Sequence, residues 1–251
     1  MQKLEEQNKE FPTHVAFIMD GNGRWATAKH LPRVEGHRRG AKAARNIVKE
    51  AHARGIRYVT FFVFSSENWA RPETEVNDLM GMMRRYLKQD VKELEKYQAR
   101  LRVIGERDRL PEDIVESIEA WEERTKDNEG IDVVMALSYG GRYDIADAAK
   151  KIAKAVEQGE ILSDDIDEEM LSNHLMTGGI PDPDLLIRTS GEQRVSNFLL
   201  WQMAYTELYF TMTAWPDFDG AELDKALEAY ATRERRYGKV PAPRLVSSGG
   251  S

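Results

Sequence analysis

The amino-acid sequence predicts a single α/β domain: an open, mostly parallel, six-stranded sheet with helices on both faces. Six short apolar runs are spread along the chain, and four of them are unbroken rather than alternating, as strands covered on both sides must be. Between several of them lie apolar stripes at helical spacing. Strand and helix therefore alternate from end to end, and parallel neighbours need a crossover that is usually a helix. The 251 residues hold no internal repeat and no evident linker, so one domain accommodates the pattern.

Residues Met1 to Glu10 are charged and lack the apolar stretch of a secretory signal, so 1–11 is expected to be a flexible lead into a domain spanning 12–238. The first two strands are read at His14 to Asp20 and Tyr58 to Phe64. Val76, Leu79, Met80, Met83, Leu87, Val91 and Leu94 share one helical stripe, and a third strand follows at Leu101 to Ile104. The fourth strand, Asp132 to Leu137, precedes a helix marked by Ile145, Ala148, Ala149, Ile152 and Val156. Strands at Leu185 to Thr189 and Leu208 to Met212 come next, then a helix through Leu223, Ala226, Leu227 and Tyr230. Residues 239–251, rich in Pro, Ser and Gly, are expected to form a disordered tail. Phe198 to Phe210, the longest apolar-rich stretch, is broken by Gln202, Thr206 and Glu207 and falls short of the roughly 20 residues a bilayer requires. No transmembrane segment is expected.

Lys+Arg 36 against Asp+Glu 43 leaves a net charge of −7, which disfavours nucleic acid as a partner and requires any bound anion to be held by a local basic site. The absence of cysteine excludes disulfides, thiolate metal sites and cysteine nucleophiles, and it suits a reducing, cytoplasmic setting. In open parallel sheets ligands bind beyond the carboxyl ends of the strands. The loops after Asp20, Phe64, Leu137 and Thr189 are therefore the places to search.

Asp20-Gly21-Asn22-Gly23-Arg24-Trp25 offers a glycine-rich turn whose amides can hold phosphate oxygens, with Asp20 as an oxygen ligand for Mg2+. Taken alone, the string reads better as two tight turns. Ser65-Ser66-Glu67-Asn68-Trp69-Ala70-Arg71-Pro72 gathers hydroxyls, a carboxamide, an indole and a guanidinium, although Trp69 would also serve as a packing anchor. Arg188 ends an apolar strand and must meet an anion or a carboxylate, either a diphosphate shared with Arg194 and Ser196 or an internal partner such as Asp184 or Glu192. Arg33 and His37 follow the first loop. Glu207, inside an apolar stretch, needs a cation or an arginine nearby.

His14 to Trp25, Phe64 to Trp69 with Arg71-Pro72, Ile187 to Glu192 with Arg194 to Phe198, and Trp215-Pro-Asp-Phe218 together resemble the signature segments of the cis-prenyltransferases. The resemblance runs from about Pro12 to Gly238, and the similarity is greatest to the bacterial undecaprenyl diphosphate synthase branch. It implies Mg2+-dependent, sequential cis (Z) addition of isopentenyl diphosphate to farnesyl diphosphate, giving a long-chain polyprenyl diphosphate of the undecaprenyl type used in cell-wall synthesis. The alternatives are a related synthase of different product length and a non-catalytic partner subunit. A nucleotide-dependent phosphotransferase lacks its Walker lysine.

By the same resemblance, Gly21, Asn22, Gly23, Arg24, Trp25, Arg33 and His37 bind the allylic diphosphate. Ser65, Ser66, Glu67, Asn68, Trp69 and Arg71 line the reaction centre, where Asn68 acts beside Asp20. A neutral carboxamide is a poor base, so Asn68 is expected to orient the alkene or relay a proton. Arg188, Arg194, Val195 and Ser196 bind isopentenyl diphosphate, and Asp20 and Glu207 are the metal carboxylates. Gln193 stands where some relatives have His. A homodimer is implied, with Arg233 to Gly238 reaching toward the partner's site, as is peripheral contact with the inner membrane face for product release. Val76, Leu79, Met80, Met83 and Leu87, with Val103 and Leu137, are candidates for one wall of a chain-binding tunnel, though ordinary core packing explains any one of them.

Overall fold

The computed structural model describes residues 11–233, apart from the side chains of 89–91. The expectations for the lead and tail, and for the segment after Arg233, therefore lie wholly or largely outside the described residues. The strands are β1 (His14–Ile18), β2 (Tyr58–Ser65), β3 (Arg100–Ile104), β4 (Asp132–Tyr139), β5 (Leu185–Arg188) and β6 (Glu207–Phe210). The helices are α1 (Asn22–Ala28), α2 (Arg33–Ala53), α3 (Glu73–Arg85), α4 (Glu112–Thr125), α5 (Gly141–Glu157), α6 (Glu168–His174) and α7 (Gly220–Ala231). All five strand pairings are parallel, in the order β3-β4-β2-β1-β5-β6.

Alternation along the central strand assigns the two faces. Val15 and Phe17 point into the larger core, with Ile47 and Val48 of α2, Met80 of α3, Ile118 of α4 and Leu227 of α7. Ala16 and Ile18 point into a thinner layer with Tyr139, Phe198 and Leu199. Asp144 of α5 joins that layer by accepting the Tyr139 hydroxyl at 2.9 Å and the Met176 N–H at 2.8 Å. Pro32, Pro72 and Pro111 immediately precede α2, α3 and α4 in extended conformation, so each loop is stiffened where its helix begins. Among the described residues no helix is long and apolar enough to cross a membrane.

The single helix expected through Leu94 is interrupted. α3 ends at Arg85, and the chain continues as a π turn over Tyr86–Asp90 and a 3-10 helix over Val91–Tyr97. Leu87 and Leu94 are nevertheless buried. The apolar stripe reports which side faces the core, whereas the hydrogen-bond spacing can change beneath it.

His14, at the start of β1, is 2% exposed; its Nδ1 lies 2.7 Å from the Pro181 carbonyl and its Nε2 2.7 Å from Thr60 Oγ1. Burial pushes its pKa down from 6.5 to about 4, against weaker opposing effects of the Pro181 carbonyl and Asp184. Between those values the unfolded chain binds the proton and the folded chain does not, so stability falls as pH drops through the window. The full loss is about 3 kcal/mol. Urea unfolding at pH 7 and pH 4.5 should show His14→Gln losing less stability than the parent over that interval; equal losses would rule His14 out as the source.

Candidate active site

The chain leaves β1 toward β2 and later returns on the other side of β1 as β5, so a crevice opens beyond the carboxyl ends of β1 and β5. Ile18 pairs in register with Arg188, which brings Asp20 beside it. Arg188 is 3% exposed; its Nη2 donates to Asp20 Oδ2 at 3.0 Å and its Nη1 donates to Ser196 Oγ at 2.9 Å and to the Arg194 carbonyl. The sequence left Arg188 between a ligand anion and an internal carboxylate. The internal partner is Asp20, neither Asp184 nor Glu192. Burial works to raise the Asp20 pKa, but the Arg188 hydrogen bond and charge, the Gly21 N–H at 2.7 Å and nearby Arg24 hold it below the usual carboxylate range. Arg24 also reaches Glu192 at 3.0 Å, and Arg194 pairs with the same carboxylate. Two exposed arginines thus converge on one acidic group at the rim.

Gly21, at φ 98°, turns the chain from β1 into α1, and the helix ladder begins with the Trp25 N–H donating to the Gly21 carbonyl at 2.8 Å. The amides of Asn22, Gly23 and Arg24 therefore lie in the first turn, where a helix has no internal acceptors for its N–H groups. α2 packs closely on this turn. A Cβ at Gly36 would lie 1.9 Å from the Asn22 carbonyl oxygen, and one at Gly40 would lie 2.3 Å from Asn22 Oδ1. Trp215 fastens the assembly from behind, its backbone N–H on the Asp20 carbonyl at 3.0 Å and its Nε1 on the Gly40 carbonyl at 2.9 Å. The indole of Trp25 is half-buried under Lys29, whose ammonium lies 4.8 Å from the ring centre.

Arg33 and His37 come from the start of α2, and Arg71 comes from the loop before α3. Glu75 lies between them, 3.0 Å from Arg71 and 3.8 Å from Arg33. Burial, then Arg71 and Arg33, push the His37 pKa below its ordinary value, while Glu75 opposes them. Arg71 therefore joins the basic group of α2. The guanidinium over the Trp69 ring belongs instead to Arg109, at 5.2 Å.

The register of β2 on β4 shifts around Phe64, a bulge that re-aims the strand end into a 3-10 turn over Ser66–Ala70. Asn68 Oδ1 accepts the Ser65 N–H at 3.1 Å. Its oxygen is thereby engaged, and its amide offers donors rather than a base. Trp69 is anchored by Phe64 and by Ser138 Oγ, which accepts its indole N–H at 2.9 Å. Glu67 accepts Asn197 Nδ2 at 2.7 Å. Val195 packs against the thinner core layer, and Gln193 is exposed.

Between α2, α3 and the sheet lies an apolar cavity lined by Ala44, Phe61, Leu79, Met80, Met83, Leu137 and their neighbours, with Asn22 and His37 also on its wall. Of the expected wall residues, Leu79, Met80, Met83 and Leu137 line it; Val76, Leu87 and Val103 belong to the surrounding core.

Glu207 lies apart from Asp20 within this chain. It opens β6 level with Leu185 and hence with Val15, whereas Asp20 lies beyond the opposite end of β1. At about 3.3 Å per residue the two are roughly 15 Å apart along the strand direction, too far to share an ion within one chain. Glu207 instead accepts Arg233 Nη1 at 2.7 Å, the arginine partner that its apolar surroundings demanded. Among the described residues no group of three or more His, Asp or Glu side chains is arranged to hold a metal.

Basic groups on the rim of a parallel sheet, with an apolar cavity behind them, suit an amphiphile that has an anionic head. A family profile described as "Putative undecaprenyl diphosphate synthase" matches residues 18–238. The chain is 53% identical over 231 residues to "Isoprenyl transferase 2" of Bradyrhizobium diazoefficiens, covering 92% of each chain, and 50% identical over 246 residues to "Isoprenyl transferase" of Rhizobium meliloti, covering 98% and 99%. Among solved structures it is similar to lavandulyl diphosphate synthase from Lavandula x intermedia in complex with dimethylallyl diphosphate (TM-score 0.89, 42% identity, 91% and 99% covered). It is also similar to a "probable undecaprenyl diphosphate synthase" from Campylobacter jejuni (TM-score 0.76, 33% identity, 92% and 99% covered). The chain belongs to the cis-prenyltransferase family, whose reaction condenses isopentenyl diphosphate with an allylic diphosphate.

Proposed function

We propose that this chain elongates farnesyl diphosphate with isopentenyl diphosphate, stepwise and with Z geometry, to a cis-polyprenyl diphosphate whose hydrocarbon the apolar cavity receives. The observation that carries the reading is the cavity opening beside the first turn of α1 and His37. An allylic head held by the amides of Asn22 to Arg24, with Arg33, His37 and Arg71 around it, leaves its hydrocarbon to enter the dry space between α2 and α3. Arg188, Arg194 and Ser196 then hold the isopentenyl diphosphate on the other side of Asp20. Asn68, through its amide donors, positions the alkene or directs the departing proton toward pyrophosphate oxygens.

Asp20 fits a magnesium role. It is ionised, half-exposed and set between the two anion sites, and Mg2+ commonly takes one or two carboxylates plus substrate phosphates. Bound there, the ion would offset the charge growing on the leaving pyrophosphate. The full set of charged site residues disfavours a non-catalytic subunit. A homodimer is part of the reading, supported by the uncovered edge at β6, where Tyr205, Leu208 and Met212 are exposed; size-exclusion chromatography of the same preparation will read a dimer or exclude one.

Incubation with Mg2+, farnesyl diphosphate and radiolabelled isopentenyl diphosphate, followed by chain-length analysis, should give Z-polyprenyl diphosphates, and no incorporation of label would remove the elongation itself.

A further inference from the structure

Asn197 sits where three loops meet. Its Nδ2 donates to Glu67 Oε1 at 2.7 Å, its Oδ1 accepts the Arg142 N–H at 2.9 Å, and its carbonyl accepts the Gly141 N–H at 2.7 Å. The contact has no room for another side chain: a Cβ at Gly140 would lie 2.4 Å from Ser66 Oγ and 2.8 Å from Asn197 Nδ2. The backbone is constrained as well. Of the seven described non-glycine residues with positive φ, four are Ser190, Ser196, Asn197 and Leu199, and asparagine tolerates this region better than most residues. Such clustering of left-handed residues is found where surrounding contacts over-determine a functional loop.

The neighbours of each partner give the junction its meaning. Asn197 directly follows Ser196, whose hydroxyl receives Arg188, and Glu67 directly precedes Asn68 in the 3-10 turn. Burial acts to raise the Glu67 pKa, but hydrogen bonds from Asn197, its own N–H, Ser65 and Ser66 keep it below the usual glutamate range, so it is a charged acceptor. We propose that Asn197 is a positioning residue whose bond to Glu67 sets the isopentenyl diphosphate loop against the Asn68 turn, fixing the alkene over the allylic carbon. This rests on the reading that Arg188, Arg194 and Ser196 hold isopentenyl diphosphate. Displacement of a reacting group by about 1 Å costs on the order of a hundredfold in rate.

Asn197→Asp keeps the acceptor for Arg142 and the tolerance of positive φ but sets a carboxylate against Glu67. Asn197→Gly keeps the backbone and removes both side-chain bonds. Each should lower kcat/KM for isopentenyl diphosphate about a hundredfold, with the affinity for a non-reactive farnesyl thiodiphosphate within about twofold of the parent. Asn197→Asp combined with Glu67→Gln restores a donor facing an acceptor and should recover at least tenfold over Asn197→Asp alone. Turnover of both single variants within about threefold of the parent would overturn the proposal. So would loss of both affinities together, failure of both variants to fold, or no recovery in the double variant. A parent enzyme that joins no isopentenyl diphosphate to any allylic acceptor would instead count against the functional reading, and the parent control reports that separately.

Discussion

Asp20→Ala will lower elongation turnover by about a thousandfold, the scale on which removing one preorganised charge-stabilising contact acts. Two things are lost together: the ionised carboxylate proposed to hold the metal between the two diphosphates, and the contact that orients Arg188. Folding will suffer less. Arg188 keeps its bonds to Ser196 and the Arg194 carbonyl, and Asp20 is partly solvated, so the loss of stability should be about 1–2 kcal/mol. Steady-state turnover with saturating substrates and a thermal melt on one preparation separate the two effects. A folded Asp20→Ala enzyme with near-parental turnover would strip Asp20 of the metal role.

Gly36→Ala is expected to damage both stability and substrate binding by a purely steric route. The added methyl would stand 1.9 Å from the Asn22 carbonyl, a backbone atom that cannot rotate aside, so α1 and α2 must separate by more than 1 Å. Overpacking of this kind costs about 1–3 kcal/mol, which in a domain of this size lowers the melting temperature by roughly 3–10 °C. The same shift moves the amides of Asn22 to Arg24 away from their anion, and kcat/KM for the allylic substrate should fall about a hundredfold. Gly81→Ala is the control. It lies within α3 with nothing within 4 Å of the added methyl, and it should hold or gain about 1 kcal/mol. Equal behaviour of the two variants would show that the α1–α2 contact is looser than the geometry indicates.

The strands were legible because a parallel sheet buries both faces and leaves unbroken apolar runs, of which Val133 to Leu137 is the plainest. α2 was not anticipated as a helix. Its buried positions are Gly36, Gly40, Ala43, Ile47, Val48 and Ala51, and small residues needed for close approach carry little apolar signal. Within the site, the composition of each loop was readable, and so was the need of Arg188 and Glu207 for partners. The partners themselves were not, because Asp20 and Arg233 arrive through strand order and helix docking rather than local spacing. The grouping of Arg71 with Arg33 around Glu75 depends on how α3 meets α2. Asn197 entered the sequence reading only inside the matched segment Arg194 to Phe198, without a role of its own. The faint signal for it was an asparagine suited to positive φ near a Gly140-Gly141 pair far away in sequence.

Asp20 and Arg188 touch although 168 residues separate them along the chain. The first strand, made early, lies at the centre of the sheet and receives its β5 neighbour only after four-fifths of the described sequence has been laid down. Closing so long a loop is entropically slow. A growing polypeptide on the ribosome therefore cannot form the Asp20–Arg188 contact until β5 has emerged.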